Sequence, residues 1–341
     1  MISIGKSVNP QKKAEERIYS NLPDDIKKSM MECILDEEVH NKVLDNIKKA
    51  SYEGVNSVES PTYTISIGQT GSGKSNLTRK IMFDNQNRVI IDSDKYKSFR
   101  PDNMEIMKKY STIYGYVTAP DSYWHRDEMI YDAMRKKYNI LMECATSMKD
   151  GMFVEPERII KNGYNVEVAI LAVSDLNSLL SVHERYEDKL DIVSDENIKE
   201  EKLTEEEKKI KYAKQISRLT AKLTPLERLY DSFDSMINVI RKIQDNNQII
   251  KKVYIRGKDA NSFPELVYSS EGTNNRFSCL LQAYLHYIRE DEKIVVPNFM
   301  NRYEAIKNKM DLRNAPEKQV RQLEEVLKIF NERYPERVNV K

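Results

Sequence analysis

Cysteine is scarce in this chain of 341 residues. Cys33, Cys144 and Cys279 are too far apart for a disulfide framework or a CxxC metal knuckle, which points to a reducing compartment. Histidine is nearly as rare, and His40, His125, His183 and His286 show no ligand spacing, so no zinc site is expected. Glycine (10) and proline (11) are both low, which excludes collagen-like and Pro/Gly-rich disordered chains and predicts abundant helix. Neither charge sign is in excess. The 55 Lys plus Arg oppose 54 Asp plus Glu, which argues against coating nucleic acid or an anionic membrane by bulk charge. Long apolar runs are missing too. The longest, Val166 to Val173, has eight residues, includes Glu167, and falls far short of the roughly 20 that span a bilayer. The N-terminal stretch has no apolar region before its charges, so it does not read as a secretory signal, and the expected location is the cytoplasm.

What is present fits a globular chain with a sizeable core: 40% hydrophobic and 32% charged residues. Residues 1–60 read as an N-terminal helical segment. Leu35, Val39, Val43 and Ile47 recur at four-residue steps, one stripe of an amphipathic helix capping a core. From Thr62 the texture changes to alternating strands and helices. Short β-prone runs at 63–67, 88–91, 138–142 and 166–173 are separated by helical patterns at 76–83, 104–113, 127–137 and 156–162. That alternation predicts an α/β core over 61–272 with a mainly parallel sheet flanked by helices. Further helices are expected at 175–186 and 226–243, and further strands at 251–255 and 266–268. A charged insertion at about 190–217 interrupts the rhythm and reads as a solvated helix or lid-like addition. Residues 273–341 form a C-terminal helical segment, with helices expected at 279–288, 300–310 and 318–334.

The run Gly68-Gln69-Thr70-Gly71-Ser72-Gly73-Lys74-Ser75 matches the phosphate-binding loop pattern GxxxxGK[ST], after a strand and before a helix. Glycines let successive backbone N–H groups turn around a phosphate, and the helix points its positive end at the anion. Lys74 then reaches the β- and γ-phosphates, and the Ser75 hydroxyl binds Mg²⁺. Asp92 and Asp94 end the next strand. Strand alternation would put both on one side, one holding magnesium through water and the other taking a proton from an attacking hydroxyl. The same residues also suit an Asx turn or a helix N-cap. Glu143 ends the third strand and fits the same cleft, and Thr146 could offer a hydroxyl to a substrate. Cys144 reads as a packing residue. Arg185 and Arg218 are read either as surface residues or as ligands of a transferring phosphoryl group, for which a guanidinium fork is suited.

The order and spacing of these pieces resemble the zeta-toxin family of P-loop kinases over about residues 50 to 270. The match runs through Glu59-Ser60-Pro61-Thr62, the loop, Val89 to Asp94, Arg100-Pro101, the strand ending in Glu143, Ala169 to Val173, Glu184 to Glu187, Arg218-x-Thr220 and Val253 to Arg256. The resemblance implies a P-loop kinase fold and a Mg-ATP-dependent kinase. Its acceptor would be a hydroxyl of a UDP-activated amino sugar, and it would act as a toxin restrained by an antitoxin protein. It implies Asp94 as general base supported by Asp92, Glu143 lining the metal and substrate region, and Arg185 and Arg218 clamping the phosphoryl group. Asp127 falls where the family often carries a substrate-binding acid. Glu143-Cys144-Ala145-Thr146-Ser147 departs from the family's common Glu-Gly-Thr stretch, and the charged insertion is long. Two rival readings differ in class. One keeps the fold with another nucleotide, a dinucleotide or a nucleic-acid end as acceptor. The other is a nucleotide-dependent switch or motor, for which no NKxD motif is present.

Overall fold

The computed structural model describes residues 22–110, 113–145, 156–191, 223–257, 263–271 and 276–338. Two helices come first, α1 (Asp24–Glu32) and α2 (Glu37–Tyr52). Asp36 caps α2, its carboxylate accepting from the Val39 amide at 2.9 Å. β1 (Thr62–Gly68) runs through the glycine loop into α3 (Lys74–Asp84). β2 (Val89–Ile91) is followed by the short α4 (Ser93–Tyr96). Then come α5 (Asn103–Lys109), α6 (Tyr114–Val117) and α7 (Ala119–Arg135), leading to β3 (Ile140–Ala145). α8 (Pro156–Lys161), β4 (Asn165–Ala172) and α9 (Asp175–Asp191) continue the alternation. α10 (Leu226–Gln244), β5 (Ile249–Ile255) and β6 (Glu265–Ser269) follow, then α11 (Leu280–Leu312), α12 (Glu317–Arg333) and α13 (Pro335–Val338).

One six-stranded sheet runs in the order β2-β3-β1-β4-β5-β6. All neighbours are parallel except β6, which lies antiparallel to β5. The central strands are buried on both faces. In β4, Val166, Val168, Ile170 and Ala172 join the larger core, while Ala169 and Leu171 pack on the other face with Leu77 and Ile81 of α3. This two-sided burial is why the strand reads as a continuous apolar run. Val43, Leu44 and Ile47 of α2 and Leu280, Ala283 and Tyr284 of α11 share the larger core. A separate cluster joins Leu176, Leu179, Leu180 and Val182 of α9 to Val295, Phe299 and Tyr303 of α11 and Val326 and Phe330 of α12. There Phe299 and Phe330 stack with ring centroids 3.9 Å apart.

Three sequence expectations differ from the fold. The break expected between residues 288 and 300 is absent, because α11 is one helix of 33 residues that runs through Pro297. Buried Val295, Phe299 and Tyr303 hold the helix on both sides of that proline, so packing outweighs the local cost. α7 begins at Ala119, well before the expected residue 127. Glu143 lies within β3 and does not follow it. The charged insertion falls, apart from its first residues, outside the described residues.

Candidate active site

Strand register sets the level of each functional group. Ser66 of β1 pairs with Glu143 of β3, two residues before the strand ends at Gly68. Ile91 of β2 pairs with Met142, so Asp92 follows at the level of Glu143. The loop, Asp92 and Glu143 therefore meet at the carboxyl end of adjacent parallel strands, where open α/β sheets place their ligands.

The loop is built as an anion cradle. Gly71 has φ +83°, and a Cβ there would lie 2.5 Å from the Ser178 carbonyl. Gly73 has φ +91°, and a Cβ there would meet the Arg256 guanidinium at 3.4 Å. The Ser72 hydroxyl is buried without a hydrogen-bond partner among the described residues. α3 carries no acidic residue in its first turn, so its positive end is left for a ligand. The Lys74 ammonium folds back on the loop, donating to the Gly68 carbonyl at 2.8 Å and the Gln69 carbonyl at 3.2 Å. The Gln69 side chain points inward instead, donating to the Val173 carbonyl (2.5 Å) and to Ser178 Oγ (3.0 Å). It anchors the loop from the inside of the fold. The Thr70 amide donates to Ser232 Oγ at 3.1 Å.

Charged groups act on Lys74 in both directions. Burial lowers its pKa, the Arg185 guanidinium lowers it further, and the carboxylates of Glu143 and Asp94 oppose the shift. All three groups thus act on one ammonium. Glu143 Oε2 accepts from Thr78 Oγ1 at 2.9 Å. Thr78 lies one turn after Lys74 on α3.

The aspartates are arranged differently from the strand-alternation expectation. β2 stops at Ile91, and Asp92 caps α4, accepting from the amides of Asp94 (3.0 Å) and Lys95 (3.4 Å). The alternative N-cap reading is the one the fold adopts. Asp94 then sits in the first helical turn, exposed, with Lys97 Nζ at 2.6 Å from Oδ1. Burial and the neighbouring Asp94 charge raise the Asp92 pKa. Ser75 is exposed at the start of α3. Burial pushes the Cys144 thiol up to about 11, so it is no thiolate nucleophile and packs in the core.

Arg185 is exposed in the second half of α9. Asp127, on α7, accepts from Arg126 through Nε (2.9 Å) and Nη2 (2.7 Å), and that guanidinium lies over the Tyr123 ring at 4.9 Å. Arg218 and Thr146 lie outside the described residues. Sequence reasoning missed Thr78 and Arg126, and it quoted Arg256 without a role. The i, i+4 spacing of Lys74 and Thr78 was a usable signal. Arg256 ends just past β5 and reaches the loop across the fold, which no local pattern announces.

Comparison with known proteins places these residues in a family. A family model described as "Zeta toxin" matches residues 45–263, more than half of the chain. The protein named Toxin zeta of Streptococcus pyogenes is 30% identical over 153 residues, covering 45% of this chain and 53% of that relative. The Toxin zeta of Enterococcus hirae is 31% identical over 148 residues, covering 43% and 51% respectively. The chain thus matches about half the length of these curated relatives. A solved chain from the PezAT chromosomal toxin-antitoxin system of Streptococcus pneumoniae superposes with a TM-score of 0.59 at 17% identity, covering 80% of this chain and 98% of that one. The shared fold is a P-loop kinase architecture.

Proposed function

This chain belongs to the zeta-toxin family, and from that premise we propose that it is a Mg-ATP-dependent kinase. Its acceptor is a hydroxyl of a UDP-activated amino sugar such as UDP-N-acetylglucosamine. It acts as the toxin of a toxin-antitoxin pair, with a separate antitoxin protein as partner. The observation that carries the kinase reading is the glycine loop with Gly71 and Gly73 at positive φ, met at the carboxyl end of the sheet by Asp92, just past β2, and Glu143 of β3. The relatives' names and the toxin-antitoxin system of the solved chain support the toxin role and the antitoxin partner.

The roles follow from the chemistry of each group. Backbone N–H groups of residues 68–75 hold the triphosphate, and Lys74 neutralises its β- and γ-oxygens. Ser75 and Asp92 would hold magnesium, which supplies positive charge for the phosphate oxygens. The orphaned Ser72 hydroxyl and the uncompensated α3 terminus fit an anion here. Asp94 is exposed where an acceptor hydroxyl can approach, and accepts its proton as the oxygen attacks phosphorus. Before that transfer, Lys97 balances the Asp94 carboxylate. Arg185 and Arg218 stabilise the charge on the transferring group. Glu143, steadied by Thr78, would line the metal and substrate region and orient the acceptor. Asp127 and Thr146 contact the acceptor.

The test is ATP turnover with a panel of sugar nucleotides, comparing wild type with Lys74→Ala and Asp94→Asn. Both variants should lose at least about 10²-fold in turnover. Full activity in both variants contradicts the assigned roles. Mass spectrometry of the phosphorylated product names the acceptor and separates a sugar nucleotide from any other nucleotide.

A further inference from the structure

The residues flanking Arg185 are gripped from outside their own helix. Arg302 of α11 donates to Glu184 through Nε (2.6 Å) and Nη2 (2.7 Å). Arg313, just after α11, donates to Glu187 through Nε and Nη2, both at 2.7 Å. Lys309 reaches Asp188 at 2.8 Å, and Gln319 of α12 donates to the Tyr186 hydroxyl at 3.0 Å. Every neighbour of Arg185 from residue 184 to 188 is thus tied to the C-terminal helices. Glu187 is 1% exposed, so its fork with Arg313 is shielded from solvent on the carboxylate side.

The grip answers a local problem. Glu184, Glu187 and Asp188 crowd three carboxylates into five residues of α9, where like charges three and four positions apart repel. Without external cations this end of the helix is the part most prone to fray. Arg185, on the helix whose Ser178 and Val182 face Gly71 of the loop, would then sweep a volume instead of holding one position. Arg302 makes a second connection. It donates to Asn177 Oδ1 (2.9 Å) and Ser181 Oγ (3.1 Å), the two atoms that also accept from Arg256 Nη1 at 2.7 and 3.2 Å. Arg256 in turn lies against Gly73 of the loop.

We infer that Arg302 and Arg313 are positioning residues for phosphoryl transfer: they clamp the end of α9 so that Arg185 is presented to the phosphate loop. The C-terminal helices are then a working part of the active site, although they hold no group that touches substrate. This rests on the kinase reading above. Mispositioning a charged group by about 1 Å can cost up to about 10²-fold, and partial fraying less. Each of Arg302→Met and Arg313→Met should therefore lower kcat about tenfold while KM for ATP changes less than about twofold.

The experiment is a double-mutant cycle in the full chain, with single turnovers followed by labelled ATP so that slow rates stay readable. In an Arg185→Ala background the same substitutions should cost less than about twofold, because they act through a side chain already removed. Removing Arg313 alone strands a buried carboxylate, so the paired variant Glu187→Gln with Arg313→Met is measured alongside, and its melting temperature confirms folding. It should show the same kcat loss as Arg313→Met and the same near-silence without Arg185. Arg313→Lys should recover part of the rate. Unchanged kcat in the paired variant, or equal losses with and without Arg185, overturns the inference. A folded wild type that transfers no phosphate from ATP overturns the kinase reading as well, which distinguishes the two failures.

Discussion

Gly71→Ala is a sharp probe of the loop because two separate penalties fall on one methyl group. At φ +83° an alanine is in left-handed space, which costs about 1–2 kcal/mol. The new Cβ would also lie 2.5 Å from the Ser178 carbonyl oxygen and 2.9 Å from Val182 Cγ2. The carbonyl has little room to retreat. Ser178 belongs to α9, whose start is pinned where Asp291 accepts from the Ser174 amide (2.8 Å), Ser174 Oγ (2.7 Å) and Asn177 Nδ2 (2.9 Å). The loop must therefore move by about 1 Å to reach ordinary contact, which shifts its N–H groups off the phosphates. A displacement of that size is expected to lower kcat/KM for ATP by about 10²-fold. Steady-state turnover with varied ATP reads it directly. Gly163→Ala supplies the control, because its φ is +84° with nothing within 4 Å of the added Cβ. It carries the conformational penalty alone, so it should lower the melting point while turnover stays within about twofold of wild type. If Gly71→Ala is as active as Gly163→Ala, the loop does not hold the phosphates as described.

Three further outcomes are expected. Burial lowers the pKa of His40 to about 3 and of His125 to about 4, where α2 and α7 stack their rings 4.1 Å apart. Because these folded values lie below the ordinary 6.5, the unfolded chain binds more protons, so stability falls as pH drops from about 6.5 toward 4. Asp121, which burial raises to about 6, works in the opposite direction below its own pKa. Through these three groups, urea unfolding at about pH 5 should show a loss of about 3 kcal/mol relative to pH 7.5, and His40→Phe should remove about 2 kcal/mol of that loss; a pH-independent midpoint contradicts the burial. Thr78→Val takes away the 2.9 Å donor to Glu143, so kcat should fall about tenfold with a nearly unchanged melting point; unchanged turnover would show that Glu143 needs no such support. Asp291→Leu strands the Ser174 and Asn177 donors in a buried site and should cost about 3–5 kcal/mol in chemical denaturation, where a loss below about 1 kcal/mol speaks against the network.

The parts of this fold that are local in sequence are the parts the sequence makes legible. The β run, the glycine loop and the start of α3 are contiguous, so the loop and the Lys74 and Ser75 positions could be read directly. The buried strands announce themselves by composition, since β4 is apolar on both faces and β1 and β3 carry an unbroken apolar face into the larger core. Asp94 shows the limit. Its place depended on whether β2 continued or stopped, and a cap by Asp92 stopped it at three residues. α11 shows another, because the pattern around Pro297 looks like a break until Phe299 and Val295 are seen packed against α9 and α12. The pairs Arg302–Glu184 and Arg313–Glu187 join residues more than a hundred positions apart. No periodicity encodes such a pair, and residue chemistry alone left Arg185 open between a surface residue and a phosphoryl ligand.

The most direct test is a crystal structure with a non-hydrolysable ATP analogue, Mg²⁺ and UDP-N-acetylglucosamine. The expected density has the triphosphate cradled by residues 68–75 and a sugar hydroxyl within about 3 Å of an Asp94 carboxylate oxygen, in line with the terminal phosphate. A sugar hydroxyl that approaches the phosphate from a side remote from Asp94, or a triphosphate bound elsewhere, contradicts it.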